Sequence, residues 1–235
     1  MKKKTFILLI VLFVVLTTGC DKQTTGSKTV SYPAQTYSSL VCNCPIRISF
    51  SREATEMVVT AEEHLLEAIR LDNNNGELAI SIDELNKQYW EEQPWVILPV
   101  PTNLSEMTIY SMVTIDADTT ITADEMEWEF SGAVKMNNLD LNVNKLSITA
   151  YSYGTELYLS GQANEVSMEL HSTVFDAFAL QAKQYECTLW SSEANVYCSD
   201  LLRIQSANNS TLNYKGNCTL ESSKDVFSSS INHVE

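Results

Sequence analysis

The second half of the chain repeats one pattern about every twenty residues. Each copy has alternating apolar residues, a Ser or Asn at a bend, and a second short alternating run. Six copies occupy 107–115, 126–136, 146–159, 166–179, 185–198 and 202–214, and a truncated copy occupies 218–226. The bends fall at Ser111, Ser131, Ser152, Ser172, Ser191 and Asn208, in steps of 20, 21, 20, 19 and 17 residues. This period, with two short strands per unit, predicts a solenoid of stacked coils.

Alternation within each copy predicts which side chains face the interior. Successive residues of a strand point to opposite faces, so every second residue of a coil is inward. The pattern predicts one inward column formed by Trp128, Ile148, Met168, Cys187, Ile204 and Leu220, and another formed by Val134, Leu157, Ala177, Val196 and Leu212. The outward positions are Glu127, Ser147, Ser167, Glu186, Arg203 and Thr219. We therefore predict an all-β solenoid, with a β-sandwich as the alternative.

The residues before the repeats also have strand patterns. Segments 46–50, 57–60 and 78–82 alternate or are β-branched, which is typical of strands. Segment 62–69 has apolar residues at helical spacing and predicts one or two turns of helix. A few N-terminal strands and one short helical turn should thus precede the solenoid.

The first twenty residues have the three parts of a secretory signal. Three lysines precede an uncharged apolar run of eleven residues from Phe6 to Leu16, and small residues then lead to Cys20. Eleven residues span about 16 Å as a helix, roughly half of a bilayer's hydrocarbon core. We expect a signal peptide at 1–19 that is removed, with an uncleaved membrane anchor as the alternative.

The segment Leu16-Thr17-Thr18-Gly19-Cys20 resembles the lipobox of exported bacterial lipoproteins. The resemblance implies that the cysteine is lipidated, for example with palmitate, and that cleavage occurs just before it. Because one acyl chain holds only marginally and two or more hold stably, this implies a permanent membrane tether. The expected domains are then the signal peptide 1–19, the lipidated Cys20 with a flexible tether over 20–31, and a single solenoid domain over 32–235.

The chain is acidic, with a net charge of −15, which becomes −18 once the three lysines of residues 1–19 are removed. Nucleic acids and anionic headgroups require basic patches, so no nucleic-acid partner is expected. A site for cations or basic partners stays open.

Besides Cys20, the chain has Cys42, Cys44, Cys187, Cys198 and Cys218. An odd number cannot pair completely within one chain. Cys42 and Cys44 lie on one face of a strand, about 6.5–7 Å apart, which is too far for an unstrained disulfide. Buried free thiols are the favoured interpretation, and a Cys187–Cys198 disulfide is the alternative. No zinc site is expected, because neither a CxxC pair nor a nearby histidine is present.

The titratable residues do not match the sequence motif of a known catalytic site. His64 follows two glutamates but lacks the i, i+4 spacing of zinc-binding helices. Carboxyl pairs such as Asp116 with Asp118, or Asp124 with Glu127, could have the spacing of an inverting glycosidase, about 6.5–9.5 Å. Such pairs are, however, expected among thirty acidic residues. We therefore predict no catalytic residue, cofactor or metal ligand.

Aromatic residues occur at outward positions of the coils, at Tyr151, Tyr153, Tyr158 and Trp190. Their rings could stack on sugars or contact a protein partner. Ordinary sheet residues with solvated edges are the alternative interpretation.

The chain resembles the head GIN domain proteins, also described as "putative auto-transporter adhesins". The resemblance covers residues 36–234 and includes the helical turn at Leu65-Leu66, and Leu159-Ser160-Gly161 and Tyr214-Lys215-Gly216 as rung ends. Glycine is sparser than in that family, and asparagines take up bend positions. The resemblance implies a right-handed parallel β-helix and an exported, often lipid-anchored protein.

The sequence thus predicts a non-enzymatic protein of the cell envelope. Lipid on Cys20 would hold a β-solenoid on a bacterial membrane, at the periplasmic or surface-exposed face of the outer membrane. The solenoid would present a surface for binding or adhesion, to a protein or glycan that the sequence does not identify. The alternatives are a polysaccharide-acting enzyme with an Asp/Glu pair, and an envelope assembly or stress-signalling partner.

Overall fold

The computed structural model describes residues 26–83 and 92–235. Cys20, the signal peptide and the first part of the tether lie outside the described residues. Within the described ranges, no helix has the length and apolarity needed to cross a membrane. The described chain is almost entirely strand, with one very short helix, and the predicted all-β solenoid is confirmed.

The N-terminal part consists of short strands and a single turn of helix. In chain order these are β1 (Ser27–Pro33), β2 (Ser39–Cys42), β3 (Ile46–Ser51), β4 (Glu56–Glu62), α1 (Glu63–Leu66), β5 (Ile69–Asn74), β6 (Glu77–Ile82), β7 (Trp95–Pro99), β8 (Glu106–Ile109) and β9 (Val113–Ala117). The helix is shorter than the segment with helical spacing, because the chain becomes strand again at Ile69.

Coils in the N-terminal part are stacked out of chain order. On one face β2 pairs in parallel with both β6 and β8, and on the next face β3 pairs in parallel with both β7 and β9. The earlier coil is therefore placed between two later ones. Antiparallel strands cover this end of the stack, because β1 pairs with β4, β4 with β7, and β5 with β6.

The repeat region forms the rest of the solenoid, which has about 6 turns. Its strands are β10 (Ile121–Phe130), β11 (Val134–Ala150), β12 (Thr155–His171), β13 (Thr173–Trp190), β14 (Glu193–Asn208), β15 (Thr211–Lys215), β16 (Thr219–Ser222), β17 (Val226–Phe227) and β18 (Ser230–His233). The successive long strands pair in parallel, so each residue lies beside its counterpart one coil along.

Each full coil has three straight segments, so the prediction of two was wrong. In β11 the register shifts between Met136 and Leu139, and Asn138 has a φ of 49°, which marks one bend. A second bend falls at Asn144 and Lys145, which are neighbours but are both exposed. Apolar and polar residues also alternate in the extra segment, 139–143. The segment is not included in the predicted repeat because it lies between two copies, 126–136 and 146–159.

The first predicted inward column is correct except at its end. Trp128, Ile148, Met168, Cys187 and Ile204 pair in this order and are all buried. Leu220 instead pairs with Leu202 and is 40% exposed. It belongs to β16 at the open end of the stack, where the described chain places no further coil over it.

The second predicted column combines residues of three neighbouring columns, because the partner of Leu157 in the preceding coil is Met136 rather than Val134. All five of its residues are buried, but Leu157 pairs with Phe175, whereas Ala177 pairs with Val196. Bends differ in length from coil to coil, so counting from the bend drifts by two residues. The predicted outward residues are all outside the core, although Arg203 pairs with Glu221 rather than with Thr219.

Pairs of small polar residues build one corner of the coils. The first member has a left-handed backbone, with φ between 49° and 54° at Ser172, Ser191, Asn209 and Ser228. The bend predicted at Asn208 therefore falls one residue later. The second members, Thr173, Ser192, Ser210 and Ser229, form what we term the hydroxyl ladder.

Hydrogen bonds along the hydroxyl ladder join each coil to the next. The Ser192 hydroxyl donates to the carbonyl of Trp190 (2.9 Å) and accepts from the backbone N–H of Thr173 (3.2 Å). The Ser210 hydroxyl likewise donates to the Asn208 carbonyl (2.8 Å) and accepts from the Ser192 N–H (3.1 Å). Backbone groups that the corner would leave unpaired are thus satisfied inside the protein.

Gly161 is required in the middle of the third segment of its coil, where it pairs with Leu141. Its φ is 107°, and a Cβ at this position would lie 2.0 Å from the carbonyl oxygen of Leu141 in the preceding coil. Only glycine allows this backbone approach. The rung end Leu159-Ser160-Gly161 therefore has a steric origin.

Candidate binding surfaces

An exposed row of aromatic side chains runs along the corner that contains the hydroxyl ladder. Each member directly follows the last inward-facing residue before this corner. These positions are equivalent from coil to coil. We term this row the aromatic ladder, and it consists of Tyr110, Tyr151, His171, Trp190 and Phe227. Between Tyr110 and Phe227, the two coils without an aromatic ring have Ser131 and Asn208 at this position.

The rings of the ladder contact one another across coils. His171 is stacked on Trp190, with centroids 5.9 Å apart and planes 5° apart, and Tyr151 lies 4.9 Å from His171. Both Ser131 and Asn208 are smaller, so one face of Tyr151 and one face of Trp190 are left without an aromatic neighbour in the adjacent coil.

Carboxylates flank the aromatic ladder on the adjoining strand face. Glu169 lies 3.2 Å from Nε2 of His171, and Glu129 occupies the equivalent position two coils before it. Partial desolvation, followed by the charges of Glu169 and Glu129, raises the pKa of Tyr151. The ladder therefore combines apolar ring surface with nearby negative charge.

The ladder contains four of the ten large apolar side chains that are exposed in the described chain. Tyr110, Tyr151, Trp190 and Phe227 are between 42% and 59% exposed, and Met112 and Tyr153 extend the apolar surface at the same corner. Exposed Tyr151, Tyr153 and Trp190 confirm that these aromatics face outward. The sequence analysis missed Tyr110 and Phe227, although their positions in the repeat, one residue after the last inward residue, are the same.

A polar groove of about 400 Å³ follows the second bend of the coils. We term it the amide groove. Its polar lining consists of Asn142, Gln162, Asn164, Gln181, Lys183, Tyr197 and Ser199. Small apolar residues, Val143, Ala163 and Ala182, form its floor and are almost completely buried.

A second, smaller groove of about 270 Å³ lies on the neighbouring segments and has a mixed-charge lining. Its charged residues include Lys145, Glu165, Glu186 and Arg203. Arg203 lies 3.7 Å from Glu186 and 3.1 Å from Glu221, so its charge is compensated by carboxylates along the stack. This arrangement is typical of an ion-paired surface.

The acid pairs considered from the sequence lie outside both grooves. Asp116 accepts a hydrogen bond from Arg47 (2.9 Å). Hydrogen bonds from the Ser51 hydroxyl and the Arg52 N–H lower the pKa of Asp118, which keeps this carboxyl ionised and unsuited to act as an acid. Asp124 and Glu127 are exposed on β10 and line neither groove.

The histidines occupy local ion pairs or ring contacts. His64 lies 3.5 Å from Glu62, and His233 packs on Tyr214 with centroids 4.9 Å apart. In residues 26–83 and 92–235, no group of three or more His, Cys, Asp or Glu side chains is placed to hold a metal ion.

The five described cysteines are free thiols, and all except the half-buried Cys218 are buried. The Cys42 thiol donates to the carbonyl of Cys44 at 3.3 Å. Burial raises the pKa of Cys187, and burial together with the neighbouring Cys218 thiol raises the pKa of Cys198 to about 12. The Cys187 and Cys198 thiols are therefore protonated and unreactive at neutral pH.

Residues 36–218 match the family model described as "Putative auto-transporter adhesin, head GIN domain". The chain belongs to this head GIN domain family. No match is found among the curated proteins.

Solved structures from Bacteroides and Parabacteroides share the fold of this head GIN protein. It is similar to a "putative adhesin" from Bacteroides fragilis NCTC 9343, with a TM-score of 0.80 at 15% identity, over 89% of this chain and 97% of that one. A "putative adhesin" from Parabacteroides distasonis ATCC 8503 gives 0.67 at 14% identity, over 90% and 98% of the two chains. A "putative lipid binding protein" from the same strain gives 0.63 at 19% identity, over 90% and 98%.

Proposed function

We propose that this chain is a non-catalytic adhesion protein of the bacterial cell envelope, with lipid on Cys20 and the solenoid as its binding part. The aromatic ladder is the observation that carries the proposal. Contiguous exposed apolar surface is uncommon on soluble proteins and marks sites of interaction, and Tyr and Trp contribute strongly to binding. The family description and the names of similar structures also support adhesion.

The ladder suits a repetitive or extended ligand. Its rings recur at equivalent positions of successive coils, which are about 4.8 Å apart. The backbone beneath them is held by the hydroxyl ladder, so little order has to be gained on binding. Such a surface can contact a partner over many coils without any residue that performs chemistry.

The polysaccharide-acting enzyme has less support than adhesion. Asp116 and Asp118 are occupied by hydrogen bonds from β3 and the residue that follows it, and the amide groove contains no carboxylate. A glycosidase needs two carboxyl groups on either side of its substrate.

Adhesion is tested with the full-length chain expressed in a bacterial host that does not otherwise adhere. Cell retention is measured on mucin-coated and collagen-coated surfaces, and cell–cell aggregation is measured in suspension. We expect a Tyr151→Ala/Trp190→Ala variant to lose at least about tenfold of the adhesion, since each truncated hot-spot aromatic costs about 2 kcal/mol or more. Tyr158→Ala is the matched control, because this tyrosine is also exposed but lies outside the ladder.

Two results would count against adhesion through the ladder. One is that the wild-type chain adheres to none of the surfaces and does not aggregate cells. The other is that the double variant, once shown by thermal unfolding to be folded, adheres as well as the wild type.

The lipid tether is tested separately with Cys20→Ala. The wild type should incorporate labelled palmitate and sediment with membranes, whereas the variant should do neither, because acyl chains would supply its membrane affinity. Cys218→Ala is the control and should behave as wild type. Membrane retention of an unlabelled Cys20→Ala protein would refute the lipoprotein assignment.

A further inference from the structure

We propose that the amide groove is a binding site for an uncharged polysaccharide lying along the axis of the solenoid. The groove lies on a different part of the coil from the aromatic ladder. It therefore constitutes a second site, and the proposal does not depend on adhesion through the ladder.

The groove presents the same chemical group on successive coils. Asn142 pairs in register with Gln162, and Gln162 with Gln181, so three amides follow one another along the stack. All three side chains are exposed. Each amide has two N–H donors and a carbonyl acceptor, and adjacent coils are about 4.8 Å apart.

The side chains of these three amides have no hydrogen-bond partner within the described chain. In this they differ from the side chains of the other amide columns. Other amide side chains bond to one another along the stack. Asn164, which also lines the groove, donates to Asn144 (2.6 Å), and on another face Asn213 donates to Asn195 (2.9 Å) and Asn232 to Asn213 (3.0 Å). Those columns stabilise the stack, whereas Asn142, Gln162 and Gln181 are free to bond to a ligand.

The shape of the groove suits a ligand as well. Small side chains at Val143, Ala163 and Ala182 leave room above the floor, and the bend of the strands makes the surface concave. Its volume of about 400 Å³ lies within the range of small-molecule sites, about 300–1,000 Å³. At one end Tyr197 continues the Gln181 position and offers a ring next to the amides.

The charge of the groove indicates an uncharged ligand. Lys183 is the single charged residue among those that line it. The chain as a whole has a net charge of −15, which disfavours acidic polymers through long-range repulsion. An anionic polysaccharide would thus find one cation against an unfavourable background.

A polysaccharide fits the groove better than a peptide does. Strands β12 and β13 are paired on both sides there, so no free strand edge is available for an added peptide strand. The groove also has no deep apolar pocket for a peptide side chain. Hydroxyl groups both donate and accept, as amides do, and a polymer of sugar units can repeat its contacts from coil to coil.

The proposal is tested by affinity electrophoresis of the full-length chain in gels that contain one polysaccharide each. Neutral probes are dextran, mannan, xyloglucan and hydroxyethylcellulose, and acidic probes are alginate and polygalacturonate. We expect retardation by at least one neutral probe and by neither acidic probe. Gln162→Ala/Gln181→Ala should weaken this retardation at least about tenfold, since two hydrogen-bonding side chains are removed.

Two variants serve as controls. Asn213→Ala removes an amide from a column that is already hydrogen-bonded, and Trp190→Ala removes a ring of the aromatic ladder; both should retain the retardation. Thermal unfolding checks that the variants are folded, which is expected because Gln162 and Gln181 are exposed.

Four results of the electrophoresis would overturn the proposal. These are retardation by no neutral probe, retardation by an acidic probe instead, retardation that the glutamine variant retains, and retardation that Trp190→Ala abolishes. Peptide-array binding that depends on both glutamines, without any polysaccharide binding, would assign a protein ligand to the groove and would also overturn it.

Discussion

The two ends of the solenoid are built differently, although they belong to one stack. At the N-terminal end, antiparallel strands β1, β4 and β5 cover the coils, and β2 and β3 are placed between later strands. At the C-terminal end, β16, β17 and β18 are short and mostly exposed. An uncovered edge can recruit other strands, and short, polar edge strands reduce that risk.

Copies of the same repeat contribute differently to stability according to their position in the stack. Leu202 and Leu220 are register partners in adjacent coils, but the first is completely buried and the second is 40% exposed. A side chain in the middle of the stack is covered by coils on both sides. Interior coils should therefore carry most of the stability, which the following substitutions test.

The largest difference is expected between Leu202→Ala and Leu220→Ala. A buried leucine replaced by alanine costs about 2–5 kcal/mol, whereas an exposed one should cost less than about 1 kcal/mol. Urea unfolding of the two variants measures both values. Equal losses of unfolding free energy would show that the last coil is as well packed as the interior.

A smaller difference is expected between Ser192→Ala and Ser229→Ala in the hydroxyl ladder. The Ser192 hydroxyl is buried and bonds to two coils, so its removal leaves the Thr173 N–H unpaired and should cost about 1–3 kcal/mol. Ser229 is half-buried at the open end, where water can replace its hydrogen bonds, and its substitution should cost less than about 1 kcal/mol. Hydrogen exchange at Thr173 should increase only in the first variant.

The smallest effect is expected for Tyr185→Phe, and it has the opposite sign. The Tyr185 hydroxyl is buried and has no hydrogen-bond partner in the described chain, and burial raises its pKa well above the usual value. Removing it should stabilise the protein by up to about 1 kcal/mol, since a buried unsatisfied group carries a desolvation cost. Tyr214→Phe, half-buried near the open end, should leave the melting temperature unchanged. A destabilised Tyr185→Phe protein would indicate a hydrogen bond to bound water.

Much of the interior was predictable from alternation alone. Side chains of a strand alternate between its two faces, and this alternation predicts that Trp128, Ile148 and Met168 point inward. The aromatic ladder was partly predictable, because Tyr151 and Trp190 occupy the same place in their copies of the repeat. Tyr110 and Phe227 were missed because their copies are the least regular ones.

The amide groove could not be found from the sequence. Asn142, Gln162 and Asn213 are all polar residues at outward positions, and nothing in the local pattern separates amides that bond to each other from amides that do not. That difference depends on the register between coils and on the bend at Asn144 and Lys145. Bend length and cross-coil distance are properties of the folded stack.

The coil follows directly from the amino-acid sequence, because alternating apolar residues at a near-constant period can bury their inward faces only by stacking. The corner also follows from the sequence, since a left-handed residue followed by an inward hydroxyl recurs from Ser172 onwards. The tertiary structure alone decided the stacking order of β2 and β3, the third segment of each coil and the exposure of Leu220. Every coil offers much the same hydrogen-bonding edge, so its neighbours are selected by packing and chain connections across the whole molecule.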